Sequence, residues 1–210
     1  MEKLNQSKAL IIVDVQYDFL PGGSLAVNDG DLIIPVINEL QEKFEFIVAT
    51  QDWHPADHQS FASNHLGKRP GNMIDLHGLD QILWPDHCVQ YTKGAQFSAD
   101  LNQSNWESIF QKGTNPEVDS YSGFFDNARR GDTGLGDFLK EKGVETIYIC
   151  GLALDYCVKF TAMDGKSLGF DTYLVTDATK AVNLAPEDGD LALKEMEEAG
   201  IHLITSSEIE

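Results

Sequence analysis

The sequence predicts an α/β protein of three layers (α/β/α), with a mainly parallel central sheet between two layers of helices. Short apolar runs of strand length alternate along the chain with longer segments of helical spacing, which is the pattern of parallel α/β folds. The first run, residues 8–15, is apolar except for Lys8 and Asp14, which is typical of a strand buried on both faces. At 210 residues the chain can bury a substantial core, and we expect one domain over residues 1–210.

The other elements follow from the same patterns. Further strands are predicted at residues 46–50, 106–111, 146–150, 171–176 and 201–205. Helices are predicted at residues 31–44, 134–142, 156–168 and 186–199. The last helix has Pro186 at its start and Gly200 just beyond its end, the expected asymmetry. Residues 53–103 are rich in Gly, Pro, Asp and His, so we expect a long irregular region of the kind that often carries function.

Four polar or reactive side chains lie at or just beyond the carboxyl ends of four different predicted strands. They are Asp14, Asp52, Lys112 and Cys157. In open parallel sheets, ligands bind outside these strand ends, where the strand order reverses. We therefore expect residues that are far apart in sequence to meet at one edge of the sheet.

Composition excludes several classes of partner. The net charge is −19 and the chain has no Lys/Arg cluster, so we expect neither nucleic acid nor an anionic membrane surface as a partner. The apolar run before Asp14 is too short for a signal peptide core or a membrane span. The three cysteines lack the spacing of a disulfide framework, so we expect reduced thiols and a cytoplasmic protein.

Cys157 is the strongest single candidate for catalysis. It lies between the predicted strand at 146–150 and the body of the helix at 156–168, in the first turn, where the helix dipole stabilises a thiolate and lowers the thiol pKa. Lys112 could add a counter-charge, and Asp14 is costly to bury unless it is paired. Each residue also has a plainer interpretation: Cys157 as a small buried side chain, Lys112 as a chain that extends to solvent, and Asp14 as the cap of a turn.

A second group suits a metal ion. Asp52 and His54 project to one side of an extended segment, and His58 and His87 follow in the same irregular region. One carboxylate with imidazoles suits Zn²⁺, Fe²⁺ or Mn²⁺, and two His with one Asp would leave coordination positions open. Cys88 is an alternative thiolate ligand, and surface histidines without a metal are the plainer interpretation.

Taken together and in this order, these segments closely resemble the nicotinamidases, in the cysteine-hydrolase superfamily that includes isochorismatase. The resemblance covers nearly the whole chain. Its most specific segments are Asp14-Val15-Gln16-Tyr17-Asp18-Phe19, Gln51-Asp52-Trp53-His54-Pro55, Trp84-Pro85-Asp86-His87-Cys88-Val89, Lys112-Gly113 with Asp119-Ser120-Tyr121-Ser122, and Asp155-Tyr156-Cys157-Val158. The predicted metal-binding segment distinguishes the nicotinamidases from isochorismatase-type relatives, which generally lack it.

The resemblance implies an isochorismatase-like, Rossmann-like fold and hydrolysis of nicotinamide to nicotinate and ammonia in NAD salvage, with pyrazinamide as a second substrate. It implies that Cys157 is the nucleophile, Asp14 the general acid/base and Lys112 the third member of the triad. The N–H groups of Ala153 and Cys157 would form the oxyanion hole, after a cis Leu152–Ala153 peptide. The aromatic walls of the substrate pocket would be Phe19, Trp84 and Tyr121.

The resemblance also implies one divalent metal ion, with Zn²⁺ as the first expectation and Fe²⁺ or Mn²⁺ as alternatives. Its ligands would be Asp52, His54 and His87, with His58 as an optional fourth. The expected partner is the small molecule nicotinamide, and a homo-oligomer is compatible with the sequence. Leu154 stands where many members carry Thr, which leaves fine substrate preference open.

Three other functions are compatible with parts of the pattern. The first is a related amidase that acts on a carbamoyl or ureido amide with the same triad. The second is an isochorismatase-like hydrolase of a vinyl ether, which the metal-binding segment disfavours. The third is a metal-binding or interaction module without catalysis, which the three residues Asp14, Lys112 and Cys157 disfavour.

Overall fold

The structure, a computed structural model, describes residues 8–210. The strands are β1 (Lys8–Val13), β2 (Ile47–Asp52), β3 (Met73–Leu76), β4 (Leu79–Ile82), β5 (Ser108–Lys112), β6 (Thr146–Leu152), β7 (Asp171–Lys180) and β8 (His202–Ile204). The α-helices are α1 (Ile33–Gln41), α2 (Leu135–Glu141), α3 (Lys159–Ser167) and α4 (Asp188–Glu198). Residues 1–7 lie outside the described part, so the single domain over residues 1–210 stays a prediction.

Six strands form one parallel sheet in the order β5-β2-β1-β6-β7-β8. From β1 the chain first moves outward through β2 to β5, and then crosses back to place β6 on the other side of β1. The strand order therefore reverses between β1 and β6, and the carboxyl ends of these strands border the expected ligand crevice.

Two apolar layers cover the sheet. Leu10 and Ile12 of β1 point into the cluster that contains α1, whereas Ala9, Ile11 and Val13 point into the cluster that contains α2, α3 and α4. This alternation is the two-residue period of a strand that is buried on both faces. The three-layer α/β/α fold predicted from the sequence is confirmed. Among residues 8–210, no helix is long and apolar enough to cross a membrane.

Apart from shifts at the ends of elements, such as β7, which runs to Lys180 and not to residue 176, the structure differs from the predicted elements in two places. The irregular region contains an antiparallel hairpin, β3–β4, whose turn residues His77 and Gly78 both have positive φ. The helix predicted from residue 156 instead starts as a π-helical turn, Leu154–Val158, that leads into α3. Such π-helical segments occur frequently at functional sites.

Candidate active site

The four predicted strand-end residues lie together at one edge of the sheet. Asp14 directly follows β1, Asp52 ends β2 and Lys112 ends β5, while Cys157 lies in the π-helical turn after β6. Asp52 and Lys112 are register partners on neighbouring strands. The parallel sheet therefore brings the four residues together, as the strand-end rule predicts.

Lys112 lies at the centre of this group and is almost fully buried, with 2% of its surface exposed. Its Nζ lies 2.9 Å from Asp14 Oδ2 and 2.6 Å from Asp52 Oδ1. The same ammonium lies 3.4 Å from Cys157 Sγ and donates to the carbonyl oxygen of Ser120 at 2.9 Å. Its contacts are therefore all acceptors or anions, which is the arrangement a buried ammonium requires.

The two carboxylates that contact Lys112 have pKa values shifted in opposite directions. Burial opposes ionisation of Asp52, but Lys112 and then His54 outweigh it and hold the Asp52 pKa well below its usual range. For Asp14, burial raises the pKa, Lys112 opposes the rise, and the charge of Asp52 adds to it. Burial also disfavours the ammonium of Lys112, but Asp14 and Asp52 raise its pKa well above the ordinary value. Asp14 is thus the carboxylate more ready to take a proton.

Asp14 is held by its neighbours in an unusual backbone conformation. Its φ is 48°, in the left-handed region that few non-glycine residues adopt. The Thr50 hydroxyl donates to Asp14 Oδ1 at 2.7 Å, and the Asp14 N–H donates to the Thr50 carbonyl at 3.3 Å. These bonds leave Oδ2 directed at Lys112.

The π-helical turn holds Cys157 beside Lys112. The N–H groups of Tyr156 and Val158 both donate to the Ala153 carbonyl at 3.1 Å, which tightens the turn around the cysteine. Burial raises the Cys157 pKa well above its ordinary value, and although Lys112 opposes this, Asp14 and Asp52 add to it. Lys112 lowers this pKa as expected, but the expectation of a pKa below the ordinary value was wrong, because burial and two nearby carboxylates outweigh Lys112.

Asp52 also faces two histidines. Its Oδ2 lies 3.2 Å from His54 Nε2 and 3.5 Å from His87 Nε2. The Nδ1 of His54 lies 2.9 Å from the Gly113 carbonyl, and the Nδ1 of His87 lies 2.8 Å from the Pro85 carbonyl. A carbonyl can only accept, so each Nδ1 carries the proton and each Nε2 has a free lone pair when the ring is neutral. One oxygen and two nitrogens therefore converge, and all three atoms lie within 4.8 Å of one another.

His58 lies next to this group. Its ring centroid is 4.4 Å from that of His54, and its Nδ1 lies 2.7 Å from the Ser60 hydroxyl. Its Nε2 is buried and has no hydrogen-bond partner among residues 8–210. Burial, and then the charge of His54, lower the His58 pKa to about 4, so the ring is neutral at pH 7. A neutral, unpaired ring nitrogen is suited to bind a metal ion.

Both groups open onto one pocket. The three predicted wall residues, Phe19, Trp84 and Tyr121, line it together with Cys157, Asp52 and His87. Trp84 Nε1 donates to the Tyr121 hydroxyl at 3.2 Å, which joins two of the walls. The pocket contains about 370 Å³ of empty space, open solvent at its mouth included.

The residues expected to form an oxyanion hole lie at this pocket. The Leu152–Ala153 peptide is cis, as expected. Ala153 and Cys157 both line the pocket, the first directly after β6 and the second in the π-helical turn. The backbone thus changes direction between Ala153 and Cys157, the predicted nucleophile.

Sequence reasoning assigned no role to several residues of the site. The carboxylate of Asp119 lines the pocket and accepts from the Ser120 N–H at 2.8 Å and from Gln81 Nε2 at 2.9 Å. Asp119 belongs to a segment that carried the resemblance, but the segment alone does not indicate what it contacts. Leu25, Tyr156 and Val182 complete the wall, and no local pattern points to Leu25 or Val182.

Asp155 connects the nucleophile turn to this wall. Its carboxylate oxygens accept from the N–H groups of Val182 at 2.9 Å and Asn183 at 2.8 Å. The position of Val182 in the pocket thus depends on a residue two positions before Cys157.

Comparisons with known proteins agree with this geometry. The isochorismatase domain family matches residues 8–208. A curated nicotinamidase of Escherichia coli is 47% identical over 207 residues, which covers 97% of each chain. A solved nicotinamidase and pyrazinamidase of Acinetobacter baumanii has a TM-score of 0.95 at 44% identity, covering 99% of this chain and 100% of the other. A pyrazinamidase of Pyrococcus horikoshii solved in complex with zinc has a TM-score of 0.78 at 43% identity, covering 95% and 99%. The chain therefore belongs to the isochorismatase family and, within it, groups with the nicotinamidases.

Proposed function

We infer that the chain is an amidohydrolase that converts nicotinamide and water to nicotinate and ammonia. The observation that carries this inference is the contact of Lys112 Nζ with Asp14, Asp52 and Cys157. Cys157 lines a pocket that the candidate metal ligands Asp52 and His87 also line. Cys157 thus faces the same pocket as two side chains that could hold a metal ion, and such an ion could bind a ring nitrogen. The relatives named above support nicotinamide as the substrate.

In the first half-reaction Asp14 acts as a general base. A buried thiol with a raised pKa is protonated at rest, so Cys157 must lose its proton as it attacks. Asp14, whose own pKa is raised, accepts that proton while the sulfur bonds to the amide carbonyl. Asp14 then returns the proton to the departing nitrogen, which leaves as ammonia and leaves a thioester on Cys157.

Lys112 stabilises negative charge during this transfer. Its ammonium lies 3.4 Å from Cys157 Sγ, so it offsets the charge that develops on sulfur. The Asp52 carboxylate, joined by Asp14 whenever Asp14 is ionised, holds the Lys112 pKa well above its ordinary value, so Lys112 stays protonated. Lys112 therefore acts as a fixed counter-charge and does not itself transfer a proton.

The second half-reaction restores the enzyme. Asp14 takes a proton from a water molecule, whose oxygen attacks the thioester carbonyl. The carbon–sulfur bond breaks, the thiol of Cys157 recovers its proton from Asp14, and the acid leaves and ionises to nicotinate, its proton passing to the released ammonia. In both halves the N–H groups of Ala153 and Cys157 stabilise the oxyanion, a contribution of about 3 kcal/mol per donor at comparable sites.

The residues at the second group fit a divalent cation. His54 and His87 present their Nε2 atoms toward Asp52, and the buried Nε2 of His58 has no partner among the described residues. We propose Asp52, His54 and His87 as the ligands and His58 as an optional fourth, with Zn²⁺ first and Fe²⁺ or Mn²⁺ as alternatives. The zinc complex of the Pyrococcus horikoshii relative supports zinc. Such an ion would bind the pyridine nitrogen and so orient the ring toward Cys157.

A substrate panel tests the function and the role of the ring nitrogen. We expect the metal-loaded enzyme to release ammonia from nicotinamide and pyrazinamide, but far more slowly from benzamide, which has no ring nitrogen. Equal rates on benzamide would contradict the proposed orientation of the ring. Release from carbamoyl or ureido amides, with none from nicotinamide, would identify a related amidase instead. We further propose a cytoplasmic enzyme whose partner is its small-molecule substrate, without nucleic acid or membrane.

A further inference from the structure

Gln16 is fully buried and its side chain contacts the backbone of Asp52. The Gln16 Nε2 donates to the Asp52 carbonyl at 2.8 Å, and the Asp52 N–H donates to Gln16 Oε1 at 2.8 Å. The second Nε2 proton is directed at the Ala95 carbonyl, also at 2.8 Å. The amide of Gln16 thus pairs with both polar groups of one residue, as a neighbouring strand would.

The Gln16 side chain takes the place of β1, which ends before it can pair with Asp52. The register of β1 with β2 stops at Val13 and Thr50, because the chain turns at Asp14, where φ is 48°. Asp52 lies two residues beyond that last pair. On its other side Asp52 is still paired in register with Lys112 of β5. Without the Gln16 amide, the N–H and carbonyl of Asp52 would lose these partners in a buried position.

The position of Asp52 matters because its two carboxylate oxygens have different partners. Oδ1 lies 2.6 Å from Lys112 Nζ, while Oδ2 faces the Nε2 atoms of His54 and His87. A small rotation of the Asp52 backbone would move both oxygens together. We propose that Gln16 is a positioning residue that fixes the Asp52 backbone so that one carboxylate serves both Lys112 and the metal ion. The inference rests on the proposed role of Asp52 as a metal ligand.

Gln51 provides a matched control one residue from Asp52. Its Nε2 also donates to the Ala95 carbonyl, at 2.9 Å, and its Oε1 accepts from Gln111 at 3.1 Å. Gln51 is likewise a buried glutamine, but its side chain makes no hydrogen bond to the backbone of Asp52. Replacing Gln51 by Met therefore removes a buried amide of the same size and leaves the Asp52 pairing in place.

The test measures Zn²⁺ affinity of the metal-stripped full-length protein by competition with a chromogenic chelator. Outer partners of metal ligands typically contribute about 10–100-fold to affinity, so we expect Gln16→Met to weaken Zn²⁺ binding by that factor. We expect Gln51→Met to bind Zn²⁺ as the unaltered protein does, even if both variants lose similar thermal stability. Should Gln16→Met fail to fold, Gln16→Asn, whose amide is one methylene too short to reach its partners, replaces it with the same expected direction.

Asp52→Ala distinguishes failure of this inference from failure of the metal site. If Asp52→Ala loses Zn²⁺ affinity and Gln16→Met retains it, the positioning role of Gln16 is overturned and the metal site stands. An equal loss in Gln16→Met and Gln51→Met also overturns it, because the effect would then follow from any buried amide in this region. If Asp52→Ala binds Zn²⁺ like the unaltered protein, both the metal site and the inference fall.

Discussion

Lys112 and Asp52 form a buried ion pair of 2.6 Å that joins the two halves of the site. Through Lys112 the pair reaches Cys157, and through its second oxygen Asp52 reaches His54. The two residues are register partners at the ends of β2 and β5, so the sheet itself sets their distance. The group proposed to attack the substrate and the group proposed to orient it thus share one charge network.

Removing the charge of Lys112 should lower both the free energy of unfolding and the turnover rate. Lys112→Met leaves the carboxylates of Asp14 and Asp52 buried without their counter-ion, and breaking a buried pair in this way costs about 3–5 kcal/mol. We expect a loss of that size in the free energy of unfolding, measured with urea, and a fall in turnover of about 100-fold or more.

Lys159→Met is the control for this change. Lys159 pairs with Glu195 at 3.0 Å on the surface, where such pairs contribute about 0–1 kcal/mol. We expect little change in stability or turnover. A Lys112→Met protein as stable and active as the Lys159→Met protein would contradict the network described above.

Gly113 lies directly against His54. Its φ is +64°, and a Cβ placed on it would approach His54 Nδ1 to 2.5 Å. Gly113→Ala should therefore displace the imidazole and weaken Zn²⁺ binding by about 10–100-fold, the range typical of changes beside a metal ligand. Competition with a chelator measures this effect directly.

Gly134→Ala is the control that separates the steric effect on His54 from backbone strain. Its φ is +83°, but nothing lies within 4 Å of a Cβ placed there. Both Ala variants force a side chain into the left-handed region, at about 1–2 kcal/mol. Only Gly113→Ala should lose metal affinity. If both variants lose it equally, the contact with His54 is not the cause.

The raised pKa of Cys157 makes its alkylation depend on pH. Only the thiolate reacts with iodoacetamide, so in the metal-free enzyme we expect the rate to rise as pH increases toward the Cys157 pKa. Asp14→Asn removes a nearby negative charge, which favours the thiolate and lowers that pKa. The rate profile of Asp14→Asn should therefore shift to lower pH, as measured by mass spectrometry of the Cys157 peptide.

Asp155→Asn is the control for the shift. The Asp155 carboxylate accepts from the N–H groups of Val182 and Asn183 and is not among the largest influences on the Cys157 pKa. Its alkylation profile should match that of the unaltered enzyme. A shift of the Asp14→Asn profile to higher pH would mean that Asp14 is not charged beside Cys157.

Much of the fold was predictable because the apolar patterns are strong. The run that became β1 is buried at every position from Ala9 to Val13, so its assignment as an inner strand needed no tertiary information. The hairpin β3–β4 was missed because Met73 and Asp75 are exposed, and because its two-residue turn has His77 at a left-handed position where Asn or Asp is the usual sequence signal.

The strand-end rule places Asp14, Asp52, Lys112 and Cys157 together from the sequence alone, but it does not indicate how they interact. The direction of the Cys157 pKa shift depends on how deeply the thiol is buried and on the carboxylates of Asp14 and Asp52, at the ends of β1 and β2. The place of Val182 in the pocket depends on its N–H bond to Asp155. Such effects arise from packing between distant segments, which local patterns do not report.

The proposed role of Cys157 is to attack nicotinamide as the nucleophile. Its most direct test is ammonia release from nicotinamide by the metal-loaded enzyme, Cys157→Ala and Cys150→Ala, measured together. Cys150 is a buried cysteine of β6 on the opposite face of the sheet, so its variant controls for the loss of a buried thiol. We expect release by the unaltered enzyme and by Cys150→Ala, and none by Cys157→Ala. Turnover by a folded Cys157→Ala protein would contradict this role of Cys157, and no turnover by a folded, metal-loaded unaltered enzyme would contradict the proposed function.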